Sequence, residues 1–122
     1  GNHSRDFTHV NDISAGIIKL FNCFDKKNIK KKVKKILINK IPHFIINFGN
    51  SKPVKLKSFI KILENTIKKK AKIKLIPFQN GEVINTYADI RRAKKLIGYR
   101  NKIDIKKGIK YFVEWYKRYH SL

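Results

Sequence analysis

The stretch "RDFTHVND", residues 5 to 12, places an arginine, an acid, an aromatic ring and a histidine side by side ahead of a helical pattern. Arg5 is one of only five arginines in the chain (5, 91, 92, 100 and 118). A guanidinium is a rigid fork of N–H donors that can take two oxygens of one anion at once. Beside Asp6 it can instead be held in a local ion pair. Residue types alone leave both uses open.

Elsewhere the sequence speaks mostly against catalysis by this chain. No two of its glycines lie two apart, so neither a dinucleotide-binding G-x-G-x-x-G nor a P-loop can be written. The four histidines (3, 9, 43 and 120) and the single Cys23 show no metal-ligand spacing. His9 follows a capping-type Thr8 and reads as structural. The eight acids are thinly spread, and Asp12, Asp89 and Asp104 stand where helix caps are expected. No serine or cysteine is singled out as a nucleophile.

The elements that must position these residues follow from the hydrophobic pattern. Ile13, Ile17, Leu20, Phe21 and Phe24 mark a helix over 11–24, with Asn11 or Asp12 as its N-cap. Residues 25–42 form a lysine-dense connector, in which Val33, Ile36 and Leu37 could make a short helical turn; a solvated, mobile loop is the preferred reading. The run "HFIINFG", 43–49, reads as a buried strand and "NSKP" as a turn. Leu56, Phe59, Ile60, Leu63 and Ile67 predict an amphipathic helix. "KIKLI", 72–76, alternates as a half-exposed strand does, and "FQNGEVINTY" follows as an irregular loop. Asp89 is expected to cap a short helix closed by Gly98. Asp104 is expected to cap the last one, whose face carries Ile105, Ile109, Phe112, Val113 and Tyr116. Trp115 and Tyr119 widen that face. Two strands alone make a marginal sheet, so the piece is expected to lean on something else.

At 122 residues the chain suits one domain, 1–122, with the connector inside it. No apolar run approaches the ~20 residues that cross a bilayer, so no membrane partner is expected. The lone cysteine suits the reducing cytoplasm. The net charge of +22 invites a nucleic-acid reading. Against it, 25 of the 30 basic residues are lysine, which A/T-rich codons specify along with isoleucine and asparagine; arginine, the better reader of grooves, is not enriched. A G/C-rich gene would remove that explanation. The alternative is a basic module that uses the 26–40 and 68–74 lysine clusters on nucleic acid or an anionic surface. An inactive truncated gene product is a third reading.

Four stretches, taken in order, carry a resemblance: "RDFTHVNDI", "INFGNSKPVKLKSFI", "IPFQNGEVINTYADIRRAKKLIGY" and "IKKGIKYFVEWY". They resemble the C-terminal part of extended short-chain dehydrogenase/reductases, the NAD-dependent epimerase/dehydratase family. Within it they are most similar to UDP-glucuronate 4-epimerases of the capsular-polysaccharide type, chiefly through the glutamine of "PFQNGEV" and "TYADI". The resemblance covers nearly all the chain outside the connector. It implies a mixed, helix-rich α/β fold: a small substrate-binding subdomain with few short strands and no Rossmann half. It implies NAD as cofactor of the whole enzyme, bound by the N-terminal half and not by this chain. The glycine fingerprint is absent here, and none of Tyr87, Tyr99, Tyr111 or Tyr116 has lysine four residues on, so the Tyr-x-x-x-Lys pair is absent too. The absence of methionine fits a piece of something longer.

The resemblance further implies a UDP-sugar partner and a set of residues that touch it. Arg5 matches the diphosphate arginine, with Asp6 able to fix its fork. Phe7 matches an aromatic position lining the nucleotide, and Leu56 an apolar contact near the uracil that also belongs to a core stripe. Gln79 matches a position facing the phosphates that is arginine in UDP-galactose-type relatives. Glu82 stands where aspartate is usual, on the ribose or base side, and Thr86 lies close to the same ligand. No catalytic or metal-binding residue is implied. The expected activity of the whole enzyme is isomerisation of a UDP-sugar for polysaccharide precursors. Related 4,6-dehydratases, 5-epimerases and decarboxylases share the same C-terminal logic.

Overall fold

The computed structural model describes residues 1–24, 37–38, 41–42 and 45–122. In chain order these form β1 (Ser4–Arg5), α1 (Val10–Phe24), β2 (Leu37–Ile38), β3 (Ile41–Pro42), β4 (Val54–Lys55), α2 (Leu56–Ile67), α3 (Arg91–Ile97) and α4 (Ile105–Tyr119). β1 pairs antiparallel with β4, Ser4 opposite Lys55 and Arg5 opposite Val54. On its other side Ser4 makes a parallel bridge to Asn85. β2 and β3 pair with each other. This is the helix-rich mixture with few short strands that the motifs imply. Most of the connector, including Val33 and Ile36, lies outside the described residues, and Leu37 belongs to a strand and not to a helical turn.

The caps show how local chemistry sets helix ends. α1 begins one residue before the expected range, and its cap is neither Asn11 nor Asp12. His9 does that work: its carbonyl accepts the N–H groups of Asp12 and Ile13, and its Nδ1 accepts that of Asn11 at 3.2 Å. Asp12 is instead buried, and its two carboxylate oxygens accept the N–H groups of Lys102 and Ile103, each at 3.1 Å. α3 ends as expected, with Gly98 in the left-handed region at φ 63° and its N–H returned to the carbonyls of Ala93 and Lys94. Asp104 caps α4, accepting the Lys107 N–H at 2.8 Å. At α3 the capping position is Ile90, not Asp89; the Asp89 carboxylate takes the Arg91 N–H one residue further in.

The core gathers around α3. Ile90, Ala93, Ile97 and Tyr99 are buried, with Leu20, Phe48 and Leu96 packed against them. A fully buried aliphatic side chain of this size contributes roughly 1.5–3 kcal/mol. Tyr99 is 1% exposed, meets Phe48 edge-on at 5.0 Å and donates its hydroxyl to the Gly49 carbonyl at 3.2 Å. Burial, with the Asp12 charge behind it, pushes this phenol above its usual range. α2 packs its apolar stripe on α4, where Ile109 and Val113 are buried.

Two expected strands are not there. Residues 45–49 form no ladder, and 43–44 lie outside the described residues. Side chains hold the segment instead: Arg92 donates to the Ile45 carbonyl, Asn47 to the Asp89 carbonyl, and Asn101 joins Tyr99 at Gly49. Residues 72–76 are irregular and exposed, with no pairing partner among the described residues. An alternating pattern marks a face to be covered, and nothing described covers this one.

Candidate functional site

The site is built on β1, which lies between β4 and the segment 84–86. Ser4 N–H donates to the Ile84 carbonyl at 3.0 Å, Thr86 N–H donates to the Ser4 carbonyl at 3.2 Å, and the Ser4 hydroxyl donates to Asn85 Oδ1 at 2.7 Å. Leu56 N–H donates to the His3 carbonyl at 2.9 Å, which ties the start of α2 to the same strand.

Arg5 is half-buried, and its Nη1 donates to the carbonyls of Ser4 at 2.9 Å and Ile84 at 3.0 Å. Those two bonds anchor one corner of the guanidinium to backbone, and Nε and Nη2 make no further hydrogen bond among the described residues. The local ion pair with Asp6 does not form. Asp6 directs its carboxylate to backbone N–H groups of other segments, and its own N–H donates to Thr86 Oγ1 at 2.9 Å. Arg5 and Thr86 are thus stitched into one ribbon although 81 positions apart in the chain.

The polar loop closes on itself beside this ribbon. Gln79 N–H donates to a Glu82 carboxylate oxygen at 3.3 Å, and Glu82 N–H returns to the Gln79 carbonyl at 3.1 Å. Glu82 also lies 3.7 Å from His3 Nε2, and the His3 ring stacks on Phe78 at 5.7 Å. Both Gln79 and Glu82 are exposed. Phe7 stacks on Phe59 with ring centres 4.5 Å apart. The pair borders an apolar hollow of about 340 Å³ between α2 and α4, lined also by His9, Leu63, Ile109 and Phe112.

The geometry therefore brings Arg5, Thr86, Glu82 and Leu56 around β1, keeps Gln79 one turn away, and sets Phe7 in the adjoining hollow. Such an arrangement can bind: a cationic fork and backbone-anchored hydroxyl suit a phosphate-bearing ligand, and a stacked ring suits a flat apolar one. No group of three His, Cys, Asp or Glu side chains that could hold a metal occurs among the described residues. His3, Ser4 and Asn85 belong to the ribbon too. Sequence reading passed over them because no spacing rule links positions 3–4 with 82–85. At the start of α3 Arg91 grips Asp89, with Nη2 2.6 Å from Oδ2, and holds that carboxyl down to about 2 from its ordinary 3.8.

No family model matches the chain. It is 41% identical over 95% of its length to an uncharacterised protein of Methanocaldococcus jannaschii, of which it spans 31%. It is 35% identical over 96% of its length to the UDP-glucuronate 4-epimerase of Thermodesulfobacterium geofontis, again spanning 31% of that protein. The fold matches the crystal structure of the Bacillus cereus UDP-glucuronic acid 4-epimerase in complex with UDP-glucuronic acid and NAD. That match has a TM-score of 0.77 at 24% identity, over 98% of this chain and 33% of that one. The chain thus spans about a third of the length of the relatives it matches.

Proposed function

We propose that this chain, which belongs to the NAD-dependent epimerase/dehydratase family of extended short-chain dehydrogenase/reductases, grips the UDP portion of a nucleotide-sugar substrate. The observation that carries the reading is the anchoring of Arg5 to the Ile84 carbonyl, which sets the guanidinium beside the loop that holds Glu82 and Thr86. In this reading Arg5 takes diphosphate oxygens, Thr86 and Glu82 meet the ribose side, and Phe7 and Leu56 supply apolar surface to the base. Gln79 faces the phosphates from the loop.

The whole enzyme is then a UDP-glucuronate 4-epimerase serving surface-polysaccharide precursors, and this chain supplies affinity and orientation. Binding the invariant diphosphate holds the sugar ring where chemistry can reach it. The residues present do not fit the nicotinamide cofactor itself. The sequence has no glycine-rich turn, and no described strand leads through such a turn into a helix. In this reading cofactor binding and the chemical step belong to the rest of the enzyme.

Calorimetric titration of the chain with UDP tests the reading. Saturable binding that prefers UDP to AMP and GMP is expected, and Arg5→Ala is expected to weaken it by about 1.5–3 kcal/mol, the range for a hydrogen bond to a charged group. Equal binding of every nucleotide and of unrelated polyanions, falling steeply with salt, would instead describe a basic surface.

A further inference from the structure

We infer that Asp6 is the positioning residue of the binding site, fixing Arg5 and Thr86 in place without touching the ligand. The inference rests on the UDP-binding reading and deepens it. The grounds are geometric. Asp6 Oδ2 accepts the N–H of Ala88 at 2.9 Å and of Ser51 at 3.0 Å, and Oδ1 accepts the N–H of Lys52 at 3.3 Å. The backbone of the same residue is committed as well, its N–H to Thr86 Oγ1 and its carbonyl to the Thr8 hydroxyl. One aspartate therefore fastens two segments that lie 45 and 82 positions away along the chain.

The neighbours are fitted to this role. The Ser51 hydroxyl donates to the Ala88 carbonyl, so the two segments that share Asp6 also bind each other. A Cβ on Gly49 would stand 2.2 Å from the Ala88 Cβ and 3.1 Å from Asp6 Oδ2, so only glycine lets the segments approach so closely. A carboxylate suits such a junction because it accepts on both oxygens and donates nothing. Asn at this position keeps the shape but turns an NH2 toward at least one backbone N–H. Both groups are then donors with no acceptor between them. Because Asp6 directly follows Arg5 and its N–H holds Thr86, movement at this junction reaches both proposed ligand contacts.

The test compares Asp6→Asn, Arg5→Ala and the double variant in the full 122-residue chain, using UDP as probe. Hydrogen exchange at the Ser51, Lys52 and Ala88 amides serves as the second readout. Asp6→Asn is expected to speed exchange at those amides and to weaken UDP binding about tenfold, as small displacements of a positioned group do. The double variant is expected to lose less than the product of the two single losses, because part of the effect of Asp6 passes through the arginine and only the rest through Thr86. Asp6→Glu, which keeps both acceptors, is expected to recover part of the affinity. Faster exchange with an unchanged UDP isotherm would show a fastening that does not serve the site, and losses that multiply in the double variant would show independent ligand contact. Either result overturns the inference while leaving UDP binding intact. Failure of the unaltered chain to bind UDP overturns the ligand reading itself, and the inference with it.

Discussion

Residues 45–52 and residues 68–85 are both irregular connections, and they are held to different degrees. The first is held by hydrogen bonds from distant segments. Tyr99 and Asn101 take the Gly49 carbonyl, Asp6 takes the N–H groups of Ser51 and Lys52, and Phe48 lies on the buried Tyr99 ring. The second is exposed throughout, yet it carries Ile73, Leu75, Ile76, Phe78, Val83 and Ile84, with Leu75 78% exposed. Irregular backbone becomes rigid where carboxylates and carbonyls find distant partners. In the second region the apolar side chains stay uncovered by any described residue.

Breaking the clasped region should have the largest effect. Gly49→Ala forces a methyl into the Ala88 side chain, and a loss of about 3 kcal/mol is expected, at the upper end for overpacking. Urea unfolding measures it, and an unchanged midpoint would mean that the segments can separate freely. Asp12→Ala leaves the N–H groups of Lys102 and Ile103 without their acceptor, and about 1.5–3 kcal/mol should be lost by the same measurement.

A smaller effect belongs to the exposed Asp89–Arg91 pair. The folded carboxyl lies below its ordinary 3.8, at about 2, so the pair's stabilisation is complete above 3.8 and disappears as pH falls through about 2. An NMR titration of Asp89 should give a midpoint near 2, returning toward 3.8 in Arg91→Gln; a midpoint near 3.8 in the unaltered chain contradicts the pairing. Smallest of all is the exposed arm. Leu75→Ser should change stability by less than about 0.5 kcal/mol, as surface substitutions do. A larger loss would mean that the arm is packed in solution.

The same contrast explains what the sequence could and could not disclose. Short-range chemistry was readable: the Asp104 cap, the Gly98 stop and the apolar stripe of α2 follow from rules that span a few residues. The motif order pointed to the family, and Arg5 and Thr86 do share one ribbon. Hydrogen bonds between distant segments were not readable. Asp12 looks like a cap and is a clamp, while His9 reads as structural without the sequence showing that its structural role is the cap. The runs at 43–49 and 72–76 look like strands because hydrophobic periodicity reports that a face is to be covered. It does not say whether the covering element lies in the same stretch of chain.

The most direct test of the central claim watches the Arg5 guanidinium during a titration with UDP. Its Nε–H resonance in a 15N-labelled chain should shift saturably, together with the Thr86 and Glu82 amides, along a single isotherm. Movement confined to lysines of 68–74 and α4, with Arg5 and Thr86 unmoved at saturation, would contradict it.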